Sequence, residues 1–286
     1  MIIVTGAAGF IGSRMVNFLN NKGITDVLAI DRSTQLLSTD YLNDTTCIKS
    51  IVGSKSHADY KITAVIHIGA ISDTLEKDWI QFNRFNVLST LYWRDFCKLR
   101  GIPFVWASSS AVYGNGAGPL NQYATSKLLS EQQCVNECVA LRFFNVYGAH
   151  EYHKGRMASV IYNWYCQYNN TNTIKVFENS NLYHRDLIYV DDVCNIIWYM
   201  VENYKPGIYD VGTGTAENME KIASSVLSTL GATDSSIIKI PMPHDLTTQY
   251  QRYTCANLEP LQNTGFDIST IRPLSVGIKD YLSIFN

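Results

Sequence analysis

Tyr123 and Lys127 are the pair best equipped to do chemistry. They bound Tyr123-Ala124-Thr125-Ser126-Lys127, in a stretch with helical patterning. Positions i and i+4 share one face of a helix, so the phenol and the ammonium become neighbours. A phenol with a pKa of about 10 is a poor base near neutrality. An adjacent ammonium favours its ionised form. Any helix can carry Tyr-x-x-x-Lys, so the pair gains weight from its company. Ala107-Ser108-Ser109-Ser110 closes a strand-like run shortly before it. Ser109, with Ser110 as the alternative, can hydrogen-bond a substrate oxygen and hold it for Tyr123.

A second constellation opens the chain. Thr5-Gly6-Ala7-Ala8-Gly9-Phe10-Ile11-Gly12 follows an apolar strand and leads into a helix. A tight turn, a close approach to a pyrophosphate and a close helix–strand contact each need a residue without Cβ. Gly6, Gly9 and Gly12 supply the three, and the helix N-terminus, with Phe10 and Ile11, offers N–H groups to phosphates. Asp31 stands nineteen positions beyond Gly12 at the end of the second strand. There a carboxylate accepts from ribose hydroxyls, which favours NAD. Arg32 beside it can pair with a 2′-phosphate, which favours NADP. The expected cofactor is NADP, with NAD open. The nicotinamide's positive charge would add to that of Lys127 in favouring the phenolate, and Lys127 can also hold ribose hydroxyls.

These residues need a scaffold that brings strand ends to one edge. Ile2–Thr5, Val27–Asp31, Ala64–Ile68, Phe104–Ser108 and Val139–Phe144 read as buried strands. Amphipathic stretches near 10–22, 83–100 and 121–137 alternate with them. Continuous apolar strands separated by helices give a parallel sheet covered on both faces. The crossover rule makes it an α/β, Rossmann-type doubly wound sheet, with ligands at the carboxyl ends of the strands. After about residue 148 the rhythm loosens, then Leu187–Val190, 191–203 and Ile208–Val211 restore it. The expected organisation is a dinucleotide-binding domain over 1–148 plus about 186–213. A smaller substrate lobe takes about 149–185 and 214–286.

Composition narrows the partners. Hydrophobic residues make up 46% and charged residues 17%, enough for a large core. A net charge of −2 calls for no strongly basic face, so nucleic acid is not expected. No run approaches a membrane span, and no secretory signal is expected ahead of the first strand. The seven cysteines fit neither a disulfide framework nor a zinc site. Cys134 and Cys138 read as one helix face, and His150 with His153 lacks the companions of a metal site, so no metal is expected. The expected location is the cytoplasm.

The glycine turn, the serines after strand four and Tyr-x-x-x-Lys, in this order, resemble the extended short-chain dehydrogenase/reductase family. The likeness continues through Arg142-Phe143-Phe144-Asn145-Val146-Tyr147-Gly148 and His153-Lys154-Gly155-Arg156-Met157-Ala158-Ser159. It extends to Phe177-Glu178-Asn179-Ser180, Arg185-Asp186 and Gly212-Thr213-Gly214. These segments are similar to the ADP-L-glycero-D-manno-heptose 6-epimerases, which invert C6″ of a sugar nucleotide used for lipopolysaccharide core.

That resemblance implies transient oxidation at C6″ and return of the hydride to the other face. Tyr123 and Lys154 would then be the two acid/base groups, on opposite sides of the reacting carbon. It implies sugar contacts from Asn145, Arg156 and Asn163. Phe177, Glu178, Asn179 and Ser180 would line the nucleotide, Arg185 would pair with the diphosphate, and Tyr250 is a further candidate there. Ile68, Gly69, Ala70, Ile71 and Ser72 would pass beneath the cofactor with Asn86 nearby. A nucleotide-diphosphate sugar, ADP-heptose first, is the implied partner, and a homo-oligomer the implied assembly.

Several positions depart from that pattern. The segment from Gly114 to Tyr123 is short. Arg156 and Asn163 replace an expected serine and histidine, and a cofactor-holding lysine after strand two is missing, with Ser38 nearby. These changes leave a C4-acting sugar-nucleotide epimerase open. A 4,6-dehydratase is disfavoured because Ser110-Ala111 stands where an acid–base pair is needed. A catalytically silent cofactor-binding protein is the remaining alternative.

Overall fold

The computed structural model describes residues 1–31, 61–247 and 250–285. These divide into two compact units. The first is Met1–Ser108, Gln122–Arg142 and Cys194–Tyr209; the second is Ser109–Asn121, Phe143–Val193 and Asp210–Asn286.

The first unit carries a parallel sheet of six strands with flanking helices, a Rossmann-like α/β fold. Its strands are β1 (Ile2–Thr5), β2 (Val27–Ile30), β3 (Ala64–His67), β4 (Phe104–Ser109), β5 (Val139–Phe143) and β6 (Gly207–Val211). They lie in the order β6-β5-β4-β3-β1-β2. Ile2 pairs with Val27 on one side and with Ala64 on the other, and Val65 pairs with Phe104. The strand order reverses between β1 and β3, where such sheets open a crevice beyond the strand ends.

β1 and β3 are buried along their whole length, so every residue must be apolar or hydrogen-bonded. Ile3, Leu28, Val65, Trp93, Phe104, Trp106 and Ala140 form one core cluster. The Ile, Leu, Val and Phe side chains among them each contribute roughly 1.5–3 kcal/mol by leaving water.

Helix α1 (Phe10–Asn21) buries Phe10, Met15, Val16 and Leu19. The next helical stretch starts earlier than the periodicity predicts. Its first turn is α2 (Trp79–Phe82), capped by Asp78, whose carboxylate accepts from Ile80 N–H and Gln81 N–H. A π-helical segment, Asn83–Leu88, follows and leads into α3 (Ser89–Arg100). Helix α4 (Gln122–Gln133) stops four residues short of the expected end. Asn136 sits at φ 59°, a left-handed position that closes a turn into β5.

The second unit is built from short pieces. Ile174–Phe177 pairs in parallel with Ile237–Ile240, Val146–Tyr147 with Ile188–Tyr189, and Glu217–Asn218 runs antiparallel to His184–Arg185. Helices α5 (Val160–Thr171), α7 (Met219–Thr229) and α8 (Leu274–Leu282) belong to this unit, whereas α6 (Val190–Glu202) starts in it and has most of its length in the first. Tyr147, Tyr189 and Tyr281 pack ring against ring with centroids 5.5–6.4 Å apart, beside Ile222, Val226 and Leu227. No helix among the described residues is long and apolar enough to cross a membrane.

Candidate active site

The glycine turn between β1 and α1 is tight. Gly6 sits at φ 68°, where a side chain is strained. A Cβ there would lie 2.6 Å from Gly69 N, and one on Gly12 would lie 1.9 Å from Gly6 O. Gly9 precedes α1 with extended backbone and gives its first turn no side-chain cap. The Asp31 carboxylate accepts from Ala8 N–H at 2.9 Å, which fixes a negative charge beside the turn. Arg32 lies outside the described residues. A helix N-terminus without a side-chain cap, with no room for a Cβ at Gly6 before it or at Gly12 in its first turn, fits a pyrophosphate. Phe10 is buried in the core, and Ile11 is partly exposed beside it.

The loop after β3 is tied to this turn by residues the sequence reading did not single out. Thr5 Oγ1 lies 2.6 Å from His67 Nδ1 and accepts from Gly69 N–H at 3.2 Å. His67 is buried, and burial together with the Lys127 charge lowers its pKa to about 3. Its Nε2 has no hydrogen-bond partner among the described residues. A histidine at the end of an apolar strand was the available signal; its partner lies 62 positions away. Ile68, Gly69, Ala70 and Ile71 are partly exposed and Ser72 exposed.

Asn86 serves this loop from beneath. Its amide accepts from Ile71 N–H at 2.8 Å and donates to Ile71 O at 3.0 Å and Ser126 Oγ at 2.9 Å. Both N–H bonds are thereby used within the protein, so Asn86 braces the loop against α4.

Helix α4 carries Tyr123 and Lys127 on one face. The Lys127 ammonium lies 5.9 Å from the Tyr123 ring centroid and 5.7 Å from the Trp106 ring. It donates to Ala107 O on β4 at 2.6 Å. Only 4% of Lys127 is exposed, and burial lowers its pKa to about 8, a fall that Glu131 opposes.

In the second unit, Ser109 ends β4 and its hydroxyl accepts from Ala111 N–H, while Ser110 is buried. The short loop beyond it is stitched to a later segment: Gln251 donates to Gly114 O and Asn115 accepts from Arg252 N–H. Lys154 is partly buried in a 3-10 turn over Tyr152–Met157, and burial lowers its pKa against the pull of Glu151. Glu151 is fully buried and accepts from Gly148 N–H and from the backbone and hydroxyl of Ser159. This carboxylate fixes the loop that presents Lys154 to the start of α5.

The nucleotide-side candidates separate into two groups. Arg185 stacks its guanidinium 4.6 Å from the Tyr250 ring, which meets Phe177 and Tyr183 edge-on at 6.0 and 5.0 Å. Burial lowers the Arg185 pKa, partly offset by the two tyrosines. Glu178 and Asn179 are exposed beyond this cluster, and Ser180 is buried, accepting from Lys239 Nζ at 3.2 Å. Asn145 is engaged elsewhere, donating to Asp186 O and Thr254 Oγ1. Arg156 is exposed, and Asn163 on α5 donates to Ala158 O.

Residues 2–212 match the family described as NAD dependent epimerase/dehydratase. Among solved structures, the chain is similar to the ADP-L-glycero-D-manno-heptose-6-epimerase of Helicobacter pylori. The identity is 26% over 99% of this chain and 95% of that one, with a TM-score of 0.83. It is similar to MoeE5 in complex with UDP-glucuronic acid and NAD at 25% identity, over 100% of this chain and 99% of that one, TM-score 0.79. The UDP-N-acetylglucosamine 4-epimerase of Methanobrevibacter ruminantium M1 shares the fold at 22% identity, over 99% of this chain and 97% of that one, TM-score 0.81.

Proposed function

The chain belongs to the NAD dependent epimerase/dehydratase family, and from that premise we propose that it is a nucleotide-sugar epimerase acting at C6″ of an ADP-glycero-manno-heptose. The observation that carries the reading is Lys127, a buried ammonium beside the Tyr123 ring. The likeness to a heptose epimerase over nearly the whole chain supports the choice of sugar.

A bound nicotinamide dinucleotide supplies reversible hydride acceptance and return. Gly6, Gly9, Gly12 and the start of α1 would hold its pyrophosphate, and Asp31 its adenosine ribose. Tyr123, kept ready by Lys127, takes the proton of the reacting hydroxyl, and Ser109 orients that oxygen. Lys154 returns a proton after the sugar presents its other face. Its partial burial lowers its pKa, the direction that eases release of a proton. Arg185 and Tyr250 receive the diphosphate end.

NAD is the cofactor to load first, because the Asp31 carboxylate repels a 2′-phosphate. NADP rests on Arg32. Affinities for the two dinucleotides, measured side by side, decide between them.

A C4-acting epimerase is the second reading. The Asn163 amide is spent on Ala158 O, and Arg156 is a bulky cation where the heptose enzymes have a small residue. Purified protein incubated with a panel of nucleotide sugars, with NMR detection of stereochemistry, tests both. Inversion at C6″ of ADP-heptose supports the first, and inversion at C4 of a UDP-sugar supports the second. Cofactor binding with no stereochemical change in any sugar overturns both.

A further inference from the structure

Three residues at successive i+4 positions, Tyr123, Lys127 and Glu131, occupy one face of α4. Lys127 therefore stands between a phenol on one side and a carboxylate on the other. A lysine with a glutamate one turn away ordinarily pairs with it. Here it does not: among the described residues Lys127 forms no ion pair, and its ammonium reaches Ala107 O instead.

The reason lies in what holds Glu131. This carboxylate is 2% exposed and both its oxygens are taken. Arg142, on β5, grips it with a fork, Nε to Oε1 at 2.9 Å and Nη2 to Oε2 at 2.6 Å. Ser108, on β4, donates to Oε1 at 2.5 Å. Two parallel bonds from a guanidinium form a strong, directional pair. Lys127 thus faces a carboxylate already held by a guanidinium, whose charge still raises its pKa against the effect of burial.

We propose that Glu131 and Arg142 are positioning residues for the acid/base pair: Arg142 claims the carboxylate that would otherwise draw Lys127 away from Tyr123, and the balance of the two charges sets how readily Lys127 holds its proton. This rests on the reading that Lys127 acts on Tyr123. The other groups facing the ammonium are accounted for. Tyr123 and Trp106 present rings, Ala107 a carbonyl, and His67 on β3 is neutral because burial lowers its pKa to about 3. Among the described residues, the charge that acts on Lys127 from nearby is that of Glu131, which Arg142 grips.

The two charges then act in opposite directions. Removing Arg142 bares Glu131 and strengthens the hold of Lys127 on its proton. Removing Glu131 leaves Arg142 as a like charge and weakens that hold. The test follows the Lys127 signal by NMR in protein labelled at the lysine ε-carbon, assigned with Lys127→Arg, across a pH series without substrate or cofactor. Arg142→Gln should raise the Lys127 midpoint by about one unit and Glu131→Gln lower it by about one unit. Either variant leaves a buried charge without its partner and can fail to fold. Glu131→Asp, which keeps the charge on a shorter arm, is the milder variant and should lower the midpoint by less. Midpoints that stay at the wild-type value in the variants that fold, or that move together, overturn the proposal. Because no sugar is turned over, a failure of the epimerase reading leaves this result standing, and the converse also holds.

Discussion

The ammonium of Lys127 donates to the carbonyl oxygen of Ala107 at 2.6 Å, tying α4 to β4 two residues before Ser109. Its charge is held in a buried place, with a pKa lowered to about 8. The group is therefore protonated below that value and loses its charge as the pH rises through it. If turnover needs the cation, the rate falls on the alkaline side with a midpoint near 8. A pH–rate profile should show this limb, and in Lys127→Arg it should move out of range, since a guanidinium stays charged. A flat wild-type profile from neutrality to pH of about 9.5 would remove Lys127 from the mechanism.

Tyr123→Phe keeps the ring and deletes the phenol oxygen. Loss of a positioned acid/base group typically costs 10²–10⁴-fold in rate, so stereochemical exchange should slow by roughly that factor. Adding Lys154→Ala should abolish what remains. NMR of the sugar product measures both, and a double variant that exchanges at the wild-type rate would show both assignments wrong.

The turn makes an ordered prediction about glycines. A methyl on Gly12 meets Gly6 O at 1.9 Å, whereas one on Gly9 meets the same atom at 3.2 Å. Gly12→Ala should cost about 1–3 kcal/mol by overpacking and weaken dinucleotide binding, and Gly9→Ala should cost less. Urea denaturation and cofactor titration give the ranking. The reverse order would mean that the turn has another shape.

His67 makes the first unit sensitive to acid. Its pKa falls from 6.5 to about 3 on folding, with burial the main cause and the Lys127 charge the second. Between those values the unfolded chain binds the extra proton, so stability is complete above about pH 6.5 and drains away as the pH falls. At 1.36 kcal/mol per unit, acidifying from about pH 6.5 to about pH 4 should cost about 3 kcal/mol from this group. His67→Asn should flatten that slope in denaturant titrations across the range. An equal slope in wild type and variant would mean that the imidazole titrates normally.

Much of the first unit is legible along the chain. Ile2–Thr5 matches β1 to the residue, and the other sheet strands match within one, because a strand buried on both faces announces itself by composition alone. The Tyr123–Lys127 register follows from helical periodicity, and the Gly6–Gly12 turn from the absence of side chains. What stayed hidden depends on distant partners. Nothing local to Asn83–Leu88 signals a π-helical segment; it serves to seat Asn86 against Ile71 and Ser126. The roles of Thr5 and His67 arise only when β1 and β3 lie side by side. Glu131 was visible one turn beyond Lys127, but its employment by Arg142 and Ser108 needed β4 and β5 in place. In the second unit the paired segments are two to four residues long, too short for a periodic pattern to declare itself. The stacking of Tyr250 on Arg185 joins residues 65 positions apart in the chain.

The last strand of the sheet has a consequence for how the chain is made. β6 lies beside β5, yet it emerges only after the whole stretch 144–206 has been synthesised. At ribosomal speeds that interval is on the order of several seconds, during which β5 is an unpaired apolar edge on a growing polypeptide. A nascent chain stalled before Gly207 should therefore be the species most in need of a chaperone.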